Sequence, residues 1–231
     1  MKIPNQPNRP NPNQSKMPAV NGKSLSLENF QLETIRQSIE KNPLAALNAL
    51  SEWRGQGGKT THQSVRWSLD QMPLAVWIEP ADDPKLPSEK LLFATLKQWE
   101  VASEGLIRFR WMDRAIESRE AAHIEFGWSR ETVKGRDYEV GHANRDVQGS
   151  RIRRVTITLI QEPIIDGHLT PDKRRSRLLA TVLHEVGHAL GLEHSENSQD
   201  VMYYRGWQLE SLSANDITRL RDLYKDALRS A

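Results

Sequence analysis

The sequence predicts an α+β domain behind a helical lead segment, on three observations. Between residues 73 and 160 lie several short runs of apolar, β-branched or alternating residues, the pattern of strands. One segment among them repeats its apolar residues at helical spacing. Two more helical segments follow the strands, so the order is strand, helix, strands, then helices, which reads as α+β.

Each element follows from its own residues. The opening "MKIPNQPNRPNPNQSKMPAV" is rich in Asn and Pro, lacks the apolar core of a secretory signal and reads as a disordered tail over residues 1–23. From Leu27 to Leu50 apolar residues recur at helical spacing, and Pro43 divides them into two helices. The glycines of "RGQGGKTTHQS" then mark a linker, so residues 24–63 form a helical segment with its linker and the main domain runs over 64–231. Within that domain "PLAVWIEP", "GLIRFRWM", "HIEFGW" and "RVTITLI" are strands. Leu91, Leu92, Leu96 and Trp99 make the apolar face of the helix between the first two. The segment "PDKRRSRLLATVLHEVGHAL" opens on the start signals Pro171 and Asp172 and stops at Gly191. A last amphipathic helix, "SANDITRLRDLYKDAL", has Ser213 as its cap.

Composition narrows the function. The 231 residues suffice for one large domain, or for a domain with an appendage, without covalent staples. A hydrophobic fraction of 37% and a mean hydropathy of −0.66 describe a globular chain with no membrane span. With 32 basic against 30 acidic residues the net charge is +2, too small a field to steer nucleic acid. There is no cysteine, so any transition metal falls to His, Asp or Glu.

Residues 184–194, "HEVGHALGLEH", supply such ligands. His184 and His188, four apart on a helix, present their imidazoles toward one point, with Glu185 beside it. Gly191 permits the left-handed turn that brings the chain back, where His194 can close the set. Three neutral nitrogens leave a fourth position open, the arrangement of a catalytic rather than a structural zinc. The pentapeptide "HEVGH" alone also fits ordinary surface or core histidines. With 13 Gly and 7 His in the chain, both further offsets would be filled by chance only about once in 600.

This run, followed by "HSENSQDVMYY", resembles the metzincin zinc peptidases and, by the placement of Met202 and Ser195, their matrixin branch in its minimal prokaryotic style. The resemblance extends over roughly residues 66 to 226. It implies a zincin-like fold: a twisted mixed sheet packed on an active-site helix, with a C-terminal helix. It further implies a zinc-dependent endopeptidase in which Glu185 activates a zinc-bound water and then returns the proton to the leaving amine. His184, His188 and His194 would be the metal ligands, Met202 the methionine turn beneath them, and the cofactor one catalytic zinc. "VGHANRD" resembles the family's substrate-pairing edge strand, so Val140, Gly141, His142 and Ala143 would bind an extended protein or peptide substrate; the same residues also fit a surface loop. Tyr203 and Tyr204 would line the pocket or donate to the oxyanion, or simply pack their loop.

The chain departs from the family in several places. Of the ligands of the second, structural zinc of animal matrixins only His142 has a counterpart, Gly127, Ser129 and Val155 standing at the other offsets, so a second zinc is not expected. The cysteine of the family's latency switch is absent, which leaves residues 24–63 as either an inhibitory prosegment or an accessory helical pair. Asp82, Asp83 and Asp166 form no calcium loop, and a calcium requirement is left open. The Arg clusters "RIRR" and "DKRRSR" lack interleaved aromatics and read as a solvated strand edge and helix start, so no nucleic acid or membrane partner is expected. His62, His123 and His168 show no metal spacing. A monomer is expected. Localisation stays open: no signal is visible, which favours the cytoplasm, while the resemblance favours secretion. The alternative to a peptidase is a catalytically silent, zinc-stabilised peptide-binding module, against which Glu185 weighs because such a module has no use for a base.

Overall fold

The computed structural model describes residues 65–81, 83, 84, 86–130, 140–161, 167–204 and 209–229. The Asn/Pro-rich tail, the two helices expected before residue 51, the linker, the boundary at residue 64, His62, Asp82 and Asp166 lie outside the described residues.

Among the described residues five strands form one sheet: β1 (Leu74–Ile78), β2 (Phe109–Trp111), β3 (Ile124–Ser129), β4 (Gly141–Gln148) and β5 (Arg151–Ile160), in the order β2-β1-β3-β5-β4. All neighbours are parallel except β4, which pairs antiparallel with β5 as a hairpin at the sheet edge. The sheet is therefore mixed, in an α+β domain. Among the described residues three α-helices accompany it: α1 (Glu89–Ala102), α2 (Pro171–Ala189) and α3 (Ala214–Arg229).

Period-2 alternation on the strands sorts the two faces. Leu74, Val76, Ile78, Ile124, Phe126, Val155, Ile157 and Leu159 are buried in one core with Leu91, Leu92, Leu96 and Trp99 of α1 and Val182, Leu183 and Val186 of α2. Trp99 both fills this core and donates from Nε1 to the carbonyl of Leu183, 2.9 Å away, which locks α1 to α2 at the level of the histidines. The expected strand "GLIRFRWM" forms only over residues 109–111, because Ser103 reaches forward to the backbone N–H of Ile107 and holds the approach as a turn.

Two expectations about surface polar groups change. The run "RIRR" is not simply a solvated edge: Arg151 and Arg153 are exposed, Ile152 is in the core, and Arg154 turns onto Glu125. Glu125 is 4% exposed and is also paired with Arg119; its burial pushes the carboxyl up, but the two guanidiniums outweigh this and hold it below its ordinary value. His123, given no role by its spacing, accepts from the backbone N–H of Ala75 at 2.9 Å and meets the ring of Trp67 edge-on. No helix among the described residues is long and apolar enough to cross a membrane.

Candidate metal centre

α2 is built to carry side chains at fixed places. Thr170 caps its N-terminus by accepting from the N–H of Lys173, and Pro171 occupies the first helical position, where no N–H is needed. At the other end the N–H of Leu192 reaches the carbonyl of Gly187 at 3.0 Å and that of Gly191 reaches His188 at 2.9 Å, a Schellman motif. Gly191 has φ +102°, and a Cβ there would stand 2.2 Å from the carbonyl oxygen of Val65, so conformation and space both require glycine. Trp67 Nε1 and the Tyr224 hydroxyl donate to the carbonyls of Ala189 and Leu190, each at 2.8 Å, and satisfy the last turn.

The turn after Gly191 returns His194 to the histidines of α2. One ring nitrogen from each of His184, His188 and His194 lies within 4.8 Å of the others. His188 Nε2 and His194 Nε2 are 3.2 Å apart. His184 Nδ1 lies 2.6 Å from the carbonyl of Val201, and His188 Nδ1 lies 2.8 Å from that of Leu192. A carbonyl only accepts, so both Nδ1 atoms carry the proton and each Nε2 keeps a lone pair. Burial drives the His184 pKa down to about 4 and the His188 pKa down to about 3, the latter helped by the neighbouring His184, so both are neutral at pH 7. Neutral imidazoles with oriented second nitrogens are the form that binds a metal. A convergent set of three imidazole nitrogens suits zinc.

Glu185 follows His184 on α2 and is 6% exposed. Met202 is fully buried, and a Cβ at Gly187 would stand 2.1 Å from its sulfur. The glycine between the two helical histidines thus leaves the space that Met202 fills against the helix.

The loop bearing His194 and Met202 is held by residues that the sequence reading passed over. Asp216, fully buried, accepts from the N–H groups of Val201 at 2.8 Å, Met202 at 3.2 Å and Ser213 at 3.0 Å. Asp200, also fully buried, accepts from Ser195, from Asn197 at 3.1 Å, from Ser213 at 2.7 Å and from Asn215 at 2.5 Å. Burial raises the Asp200 carboxyl, but its donors outweigh burial and hold it below the ordinary value. One signal was available: Ser213 and Asp216 stand at capping-box spacing, and the N–H of Asp216 returns to the Ser213 hydroxyl at 2.9 Å.

The residues expected to meet substrate lie on β4 with the residue before it and on the two positions after Met202. β4 lies against α2, since a Cβ on Gly141 would approach Thr181 Cγ2 to 2.9 Å. Val140 is buried just before the strand, and Gly141, His142 and Ala143 are half-buried on it. Tyr203 pairs with Ser195 in a short bridge, its ring 4.5 Å from that of the exposed Tyr204. Neither His142 nor Asp83 joins a metal-holding group among the described residues.

The family model described as Matrixin matches residues 66–225, well over half of the chain. This chain belongs to the matrixin family of peptidases. A 57-residue stretch of this matrixin is 40% identical to matrix metalloproteinase-26 of Homo sapiens, covering 23% of this chain and 22% of that protein. A 64-residue stretch is 38% identical to stromelysin-1 of Equus caballus, covering 26% of this chain and 13% of that protein. The matched part thus spans less than a quarter of either relative. The crystal structure of archaemetzincin from Methanopyrus kandleri overlaps 66% of this chain and 96% of its own, at 14% identity and a TM-score of 0.41. Matrixins use zinc, and the three histidines form a group able to hold a metal ion.

Proposed function

We propose that this matrixin is a zinc-dependent endopeptidase whose metal is held by His184, His188 and His194 and whose general base is Glu185. The observation that carries this reading is the convergence of three ring nitrogens within 4.8 Å, two of them oriented by backbone carbonyls, with the buried Glu185 next in sequence to the first of them. Bound zinc supplies Lewis acidity, which makes a water nucleophilic at neutral pH and polarises the scissile carbonyl.

The rest is done by side chains and backbone of this chain. Glu185, adjacent in sequence to His184, accepts a proton from the attacking water and delivers it to the leaving amine. Val201 and Leu192, through their carbonyls, keep His184 and His188 in the tautomer that faces inward. Met202 fills the space against Gly187 and excludes water from below. β4 lies at the sheet edge and pairs with β5 on one side, so an extended substrate segment can join its other side along Val140, Gly141, His142 and Ala143. Tyr203 and Tyr204 are assigned to the wall beyond the cleaved bond.

The experiment compares wild type with Glu185→Ala on a fluorescently labelled unstructured protein, with zinc content measured on both. Loss of the base should lower the cleavage rate about 10²- to 10⁴-fold while zinc content stays at the wild-type level. Equal cleavage by the two proteins would remove Glu185 from the chemistry. Zinc in both with cleavage by neither would favour a silent peptide-binding module, unless a variant lacking residues 1–64 cuts.

A further inference from the structure

Residues 193–199 read "EHSENSQ", without one apolar side chain, so hydrophobic packing cannot place His194 as it places the histidines of α2. The segment is instead gripped by α3. Arg219 Nη2 donates to the carbonyls of Glu193 at 2.8 Å and His194 at 3.2 Å, bracketing the third histidine from both sides of its peptide unit. One turn earlier, Asn215 and the cap Ser213 hold Asp200, whose carboxylate returns to Ser195 and Asn197. One grip holds the first two of these seven residues and the other holds Ser195 and Asn197 just after them.

We propose that Arg219 is a positioning residue of the metal centre: from α3 it fixes the backbone of His194 so that the third ligand meets the two on α2. This rests on the reading that the three histidines hold zinc. Arg219 does not touch the metal position; it acts through the carbonyls of Glu193 and His194. A guanidinium suits the task because the two N–H groups of Nη2 are fixed in its plane, so one nitrogen serves two neighbouring acceptors in a set orientation, where an ammonium rotates freely. Arg219 is half-buried on a helix, so its replacement by an unbranched apolar residue leaves α3 intact.

The test measures the zinc affinity of the full chain by competition with a chromogenic chelator, for wild type, Arg219→Met and Arg219→Lys, with visible spectra of the cobalt-loaded proteins alongside. Positioning predicts that Arg219→Met weakens zinc binding about 10- to 100-fold and alters the cobalt bands. The metal-free melting temperature should stay close to wild type, and Arg219→Lys should recover part of the affinity. If methionine perturbs folding, the lysine variant carries the test, with a smaller loss of affinity and the same change in the cobalt bands. Wild-type affinity and cobalt bands in the variants would overturn the proposal and leave the zinc reading standing. A fall in stability of metal-free and metal-loaded forms alike, with unchanged affinity, would reduce Arg219 to holding the fold and also overturn it. A wild-type chain that takes up no zinc would overturn both.

Discussion

The two histidines on α2 and the third on the loop after it are held by opposite means. Around His184 and His188 the helix is fixed by apolar packing, with Leu179, Val182, Leu183 and Val186 buried and three hydrogen bonds from Trp67, Trp99 and Tyr224 pinning its carbonyls. Around His194 there is almost only polar grip, from Arg219, Asp200 and Asp216, until Val201 and Met202 re-enter the core. A site with two ligands on a packed rod and one on a hydrogen-bonded loop has a rigid half and an adjustable half. Changes to the packed half should register first in folding, and changes to the loop first in metal affinity.

The largest effect on folding is expected where the two halves touch. Gly187→Ala would force Met202 and Trp99 to move, the added Cβ standing 2.1 Å from the sulfur and 3.0 Å from the indole. Overpacking costs about 1–3 kcal/mol, and a contact this short belongs at the upper end, which exceeds the roughly 1 kcal/mol an alanine gains over glycine in a helix. Denaturant titration should therefore show a lower midpoint at unchanged slope. An unchanged or raised midpoint would mean that Met202 is loosely seated and that the packed half ends before it.

A smaller effect belongs to Tyr224, which donates to the carbonyl of Leu190 and accepts from the N–H of Trp67 at 3.3 Å. Tyr224→Phe leaves both groups without this partner and should cost about 1.5 kcal/mol. Burial pushes the hydroxyl well above its ordinary value of 10.0. The folded state therefore retains a proton that the unfolded chain releases near pH 10, so the stability from this neutral hydroxyl is complete below that pH and declines as pH rises through and beyond it. Ultraviolet titration of the tyrosines should show one ionising only with unfolding, and that step should vanish in Tyr224→Phe.

The packed half was the more legible one. A helix that opens at Pro171 and ends at Gly191, with apolar residues on its buried face, follows from periodicity and end signals, and "HEVGHALGLEH" displays its spacing in one line. β1 and β5 were readable as runs of apolar and β-branched residues, and β3 by its alternation. The shortness of β2 was not, because the Ser103 turn that delays it is one side-chain hydrogen bond rather than a pattern. The same reason hid Asp200, Arg219 and the pairing of Arg154 with Glu125: each meets residues distant in sequence, and polar contacts of that kind have no period. Asp216 alone left a trace, in its capping-box spacing from Ser213.

Whether three histidines from these two halves hold one metal is read from the zinc content of the purified full chain beside that of His188→Ala and His194→Ala. One zinc per wild-type chain, with none retained by either variant after dialysis against a weak chelator, is the predicted result. A wild-type chain without zinc, or zinc that persists when either histidine is gone, would contradict it.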